Sequence, residues 1–121
     1  MLGTQTPIET GPGGRDLRRN PRYKLDVRVR LIIRKDKGNH VVHGRGTDIS
    51  ETGMAVFVPH DMAVEDRAEL EFTLPYSRQP QRVVVNVRNR SGYRYGVEFM
   101  TLSLPQRDEI TKICKALTLL Q

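Results

Sequence analysis

Residues 23–34 read YKLDVRVRLIIR. Tyr23, Leu25, Val27, Val29, Leu31 and Ile33 fall on alternate positions. Lys24, Asp26, Arg28 and Arg30 lie between them, and Arg34 follows. A period of two belongs to a strand with one face wet and one buried. Downstream, Lys35 to Asn39 reads as a hairpin turn, Val41 to Asp48 as a second strand and Met54 to Val58 as a third. Pro59-His60-Asp61 ends that strand. Arg67 to Leu74 alternates again, with Ala68, Leu70, Phe72 and Leu74 inward. Pro75 to Gln81 is a loop. Val83, Val85 and Val87 then alternate with Arg82, Asn86 and Arg88. Ser91-Gly92 turns the chain, and Tyr93 to Phe99 is a sixth strand. The end changes period. Ser103 and Gln106 form a capping box with Pro105 in the first turn. Ile110, Ile113, Cys114 and Leu117 follow at helical spacing. Six short strands and one final helix make an all-β barrel or sandwich capped by a helix.

Upstream of the first strand the pattern dissolves. Gly11-Pro12-Gly13-Gly14 suits neither helix nor strand, so residues 1–17 read as a flexible tail and 18–121 as one domain. The chain has 121 residues, enough for a single compact core. Apolar residues make up 37%, low for a wholly folded chain and in keeping with such a tail. No run of 18 apolar residues exists, so no membrane span is expected. The first 20 residues lack the charged start and apolar core of a secretory signal, and the one cysteine forms no internal disulfide. A cytoplasmic location is the expectation. Cys114 reads as a core residue rather than a reactive thiol. His40, His43 and His60 have no recognised zinc spacing, and no metal is expected. Phosphate-loop and nucleophile-elbow motifs are missing. Glu69 and Glu71 are outward positions of a strand rather than a catalytic pair, so no enzyme is expected.

The net charge is +6. Fifteen of the twenty basic residues are arginine. Arginine's planar fork suits phosphates and guanine edges, and it stacks on flat rings. The balance points to an anionic or nucleotide partner. Two constellations fall outside the strand pattern. The first is Arg15-Asp16-Leu17-Arg18-Arg19-Asn20-Pro21-Arg22, whose four arginines repel one another unless an anion sits among them. Arg18 and Arg22 are four apart, with Pro21 holding the second extended. Alone this pair is weak evidence, since about two such pairs arise by chance in a chain with this many arginines. The second is Asp48-Ile49-Ser50-Glu51-Thr52-Gly53. Its plain reading is a tight turn closed by side-chain oxygens on local N–H groups. Its functional reading turns the same groups outward, a carboxylate for guanine donors and a hydroxyl and free N–H for phosphate.

RRNPRY before an alternating strand, then TDISETGMAVF, then YRYGVEF and a capped helix together resemble a PilZ domain. The resemblance covers about residues 18–120. It implies a six-stranded antiparallel barrel with a C-terminal helix, and binding of cyclic di-GMP. Carried over by position, Arg18 and Arg22 match the first motif, and Asp48, Ser50 and Gly53 match the second, with no position substituted. Arg19, Arg88 and Arg90 are candidate further contacts. On this resemblance Asp48 takes the guanine N1–H and amine, the arginines take O6, N7 or phosphate, and Ser50 and the Gly53 backbone complete the pocket. The implied mechanism is a switch: ligand pins the arginine-rich arm to the barrel and an unidentified downstream protein reads the new surface. Leu17, just before the first motif arginine, offers no cation for a stacked ligand pair, so one cyclic di-GMP per chain is expected. The ligand is not a cofactor, and none is expected. The rivals are a basic RNA-binding barrel and a ligand-free adaptor of the same fold. Nucleic acid is disfavoured because there is no Trp and most Phe and Tyr lie on inward phases.

Overall fold

The computed structural model describes residues 21–121. Strands β1 (Tyr23–Lys35), β2 (Gly38–Ile49), β3 (Gly53–Phe57), β4 (Arg67–Thr73), β5 (Pro80–Ser91) and β6 (Arg94–Thr101) precede helix α1 (Leu104–Leu120). The strands close into a barrel in the order β1-β2-β3-β6-β5-β4, and every neighbouring pair is antiparallel. Closure removes the unpaired edges that an open sheet would expose. Of the two architectures left open by periodicity, the chain adopts the barrel. The tail of residues 1–17 lies outside the described residues.

The period-two reading sets which side chains enter the core. Val27, Val29, Leu31 and Ile33 point inward from β1, and Ala68, Leu70 and Phe72 from β4. Val83, Val85 and Val87 do so from β5. Tyr95 is fully buried, and its hydroxyl donates to the His60 carbonyl at 2.6 Å and accepts from the Met62 N–H at 3.0 Å. Those two bonds satisfy a buried phenol and fasten the β3–β4 loop to the barrel. Phe72, Tyr95 and Phe99 are buried, whereas Phe57, Tyr76 and Tyr93 are exposed. Ile32, Ala55 and Asn86 are buried on the outward phase of their strands. Asn86 keeps its outward phase between Val85 and Val87 yet is buried. Its amide donates to Glu65 at 2.9 Å, so a loop side chain covers it.

The helix starts where its capping box stands. The Gln106 N–H donates to the Ser103 hydroxyl at 3.2 Å, and the Ser103 N–H donates to the Gln106 side chain at 3.0 Å. Ile110, Ile113, Cys114 and Leu117 form its buried face. Ile110, Ile113 and Leu117, taken from water, each contribute about 1.5–3 kcal/mol. Burial pushes the Cys114 thiol up to about 11, so it is neutral at ordinary pH. Three polar contacts fix the helix across the barrel. The Gln106 side chain donates to the Arg82 carbonyl, and Thr111 donates to Glu51 at the β2–β3 turn. The Gln121 amide donates to the Lys24 carbonyl at 2.7 Å and accepts from the Lys24 N–H at 2.9 Å. The end of the helix is thereby tied to the start of β1. Among the described residues no helix is long and apolar enough to cross a membrane.

Candidate functional site

The second motif occupies the turn between β2 and β3. The Ser50 N–H donates to the Gly53 carbonyl at 2.9 Å. The Ser50 hydroxyl oxygen accepts from the N–H groups of Thr52 and Gly53, both at 3.2 Å. Ser50 is 2% exposed. Its hydroxyl and the Gly53 N–H are therefore engaged with each other, as an ST turn requires. Gly53 answers a separate constraint. A Cβ there would lie 2.2 Å from the Val97 carbonyl oxygen of β6. The close approach of β3 to β6 needs a residue without a side chain.

Asp48 stands at the end of β2 and faces outward. Its carboxylate receives two arginines. Arg22 donates to Oδ1 at 2.8 Å from the threshold of β1. Arg94 donates to Oδ2 at 3.1 Å from the first position of β6. The Arg22–Asp48 bond joins the two sequence motifs across 26 positions. Both partners are largely covered, at 26% and 16% side-chain exposure, so the pair is screened less than an exposed one.

A polar pocket of about 280 Å³ opens beside this pair, lined by Arg22, Thr52, Gly53, Arg88, Asn89 and Glu98, among others. Its shape follows from register. Ala55 of β3 pairs with Gly96 of β6, and Gly96 with Asn89 of β5. Gly96 lets the Asn89 side chain lie close over β6, since a Cβ there would stand 2.7 Å from the Asn89 amide. Arg88 sits where the β5–β6 register shifts, between Val87 and Asn89. Its guanidinium donates to Glu98 at 2.5 Å and to Glu65 at 3.0 Å. The bond to Glu98 raises its pKa above the usual value, and the Glu65 charge adds to this.

A family model described as the PilZ domain matches residues 16–116. The chain belongs to the PilZ domain family. Among solved structures, it is similar to the inhibitor of motility MotI/DgrA of Bacillus subtilis. That likeness has 16% identity and a TM-score of 0.71, covering 93% of this chain and 58% of that one. It is also similar to the PilZ domain of YcgR from Escherichia coli with c-di-GMP, at 14% identity and a TM-score of 0.68, covering 85% and 92%. A third is the K. pneumonia MrkH–c-di-GMP complex, at 20% identity and a TM-score of 0.65, covering 86% and 52%. At these identities the likeness is one of fold. The chain spans 58% of the Bacillus protein and 46% of the YcgR chain solved in complex with c-di-GMP. No curated protein matches it by sequence.

Within this PilZ domain, Arg22, Asp48, Ser50 and Gly53 stand together at one place on the outer barrel wall. Arg18 and Arg19 lie outside the described residues. Arg88 lines the polar pocket with Arg22 and Gly53, while Asp48 and Ser50 stand beside that lining. Arg90 serves a different neighbourhood. It donates to the carbonyls of Gly92 and Met62 at 2.7 and 2.9 Å and to Asp61 at 2.6 Å. Its guanidinium also lies over the rings of Tyr93 and Tyr95. Arg94 and Thr47 were not legible as site residues. Thr47 precedes Asp48 on an ordinary strand position, and Arg94 reaches the pair only because β2, β3 and β6 are neighbours in the barrel. No cluster of three or more His, Cys, Asp or Glu with metal-binding geometry occurs among the described residues.

Proposed function

We propose that this PilZ domain is a cyclic di-GMP receptor. The observation that carries the reading is the Arg22–Asp48 bond, which sets both motifs at the rim of one polar pocket. The ligand's chemistry fits those groups. Asp48 accepts from the guanine N1–H and exocyclic amine, while arginine forks bond O6 and N7 or the phosphates. Ser50 and Gly53 act through the turn they build, which holds Asp48 at the pocket edge. The solved PilZ domain of YcgR and the MrkH complex, both with c-di-GMP, agree with this ligand class.

On this reading the output is not catalytic. Arg18 and Arg22 engage the ligand together and draw the arm onto the barrel, and a downstream protein recognises the result. Calorimetric titration of the chain with cyclic di-GMP tests the assignment. Arg18→Ala, Arg22→Ala and Asp48→Ala should each weaken binding by about 1–3 kcal/mol, the usual loss for a charge-assisted or bidentate contact. Wild-type affinity in all three variants would rule the site out. Binding of single-stranded RNA at this pocket in preference to cyclic di-GMP would favour the rival barrel.

A further inference from the structure

We infer that Arg94 is a positioning residue that holds Asp48 ready to read guanine, a third arginine in the site outside both sequence motifs. The inference rests on the receptor reading above and adds a specificity element to it. Arg94 uses its fork on two acceptors. One terminal nitrogen donates to Asp48 Oδ2 at 3.1 Å and the other to the Thr47 hydroxyl at 3.1 Å. Thr47 passes its own proton on to the Ala55 carbonyl at 3.4 Å. The guanidinium plane is therefore set by a carboxylate and by a hydroxyl that is itself oriented by β3.

The two arginines on Asp48 differ in what anchors them. Arg94 begins β6, where it pairs with Phe57 on one side and Ser91 on the other. The next residue, Tyr95, is fully buried. Arg22 precedes β1, at the junction with the arm that carries Arg18. If Arg22 turns to the ligand, its place on Oδ1 is vacated. Without Arg94, a carboxylate only 16% exposed would then lose its last ion pair, an arrangement that costs free energy. With Arg94 in place, Asp48 stays charged and keeps its orientation. Each carboxylate oxygen has two lone-pair sites. Arg94 takes one on Oδ2, which leaves the vacated Oδ1 and the second site of Oδ2 for two parallel donors.

Guanine offers two such donors on its Watson–Crick edge, N1–H and the 2-amino group. Adenine presents an unprotonated N1 there and no 2-amino group, so a fixed carboxylate repels it. A carboxylate free to swing loses part of that discrimination. Arg94 therefore acts on ligand choice as well as on affinity.

The test is a double-mutant cycle read by calorimetry with cyclic di-GMP and cyclic di-AMP, using the wild type, Arg94→Ala, Asp48→Ala and the double variant. Arg94→Ala should weaken cyclic di-GMP roughly tenfold, the scale of one charge-assisted hydrogen bond. It should also narrow the preference over cyclic di-AMP. Once Asp48 is alanine, removing Arg94 should change cyclic di-GMP affinity by less than about twofold. Unchanged affinity and selectivity in Arg94→Ala would overturn the inference while leaving the receptor reading intact. Simple addition of the two losses would also overturn it, because Arg94 would then act independently of Asp48. A wild-type chain that binds no cyclic di-GMP overturns the receptor reading and this inference with it.

Discussion

At the scale of single residues, the second motif divides into groups that build and a group that reads. The Ser50 hydroxyl is turned into the turn, and the missing side chain of Gly53 is demanded by a β6 carbonyl. Asp48 alone offers its functional atoms outward. The three positions should therefore fail differently. Ser50→Ala leaves the buried Gly53 N–H without its acceptor, which costs about 1–3 kcal/mol. Gly53→Ala forces β3 and β6 apart at a cost of about 1–3 kcal/mol or more. Asp48→Ala releases Arg94, 53% exposed, and Arg22, 26% exposed, toward water, so its cost should be the smallest of the three, about 1 kcal/mol. Urea denaturation of the three variants measures this directly. Full stability in Ser50→Ala would mean that the hydroxyl does not hold the turn and is free for another partner.

At the scale of elements, the strands were legible because alternation is a local property. β1 and β4 were read in their true phase, and the S-x-x-Q box marked the start of α1. What eluded reading is what register decides. Asn86 holds its outward phase yet is buried, because Glu65 arrives from a loop with its backbone at φ +77°. Arg94 was absorbed by its strand pattern. Its meeting with Asp48 depends on the register shift in the β2–β3 pair and on the β3–β6 pairing, which no spacing reveals. Register also stitches the outer wall. Glu71 of β4 takes Arg30 of β1 and Arg82 of β5, while Glu69 takes Arg34 at 2.5 Å and Arg82 at 3.5 Å. Hydrogen bonds from Arg82 and then Arg30 hold the Glu71 carboxyl below its ordinary value. A lowered folded pKa gives stability that is present above the ordinary carboxylate value and lost as pH falls through the lowered one. Thermal melts should therefore show a steeper acid limb in the wild type than in Glu71→Gln below about pH 4.5. Parallel acid limbs would mean that the ladder contributes nothing to the link between these strands.

At the scale of the whole molecule, two distant parts of the chain converge on the first residues of β1. Arg22 bonds Asp48, and two residues later both backbone groups of Lys24 bond the side-chain amide of Gln121. The entry point of the arginine-rich arm is thus also the docking point of the helix end. That end carries Leu119 and Leu120, both largely exposed. On the receptor reading, ligand draws Arg18 and Arg22 onto the pocket and reduces the opening of the backbone at Lys24. Fewer openings there keep the Gln121 amide in place, so the last turn of α1 should be protected along with the arm. Exposed apolar side chains held still beside an ordered arm make a surface that a partner can recognise with little further loss of entropy. Hydrogen exchange with and without cyclic di-GMP reads this coupling. Residues 18–24 and the last turn of α1 should slow together, and Gln121→Ala should remove the helix effect while leaving ligand affinity within about twofold. Protection of the arm with no change at the helix end in the wild type would show that the signal stops at the pocket. An arm already fully protected without ligand would remove the switch itself.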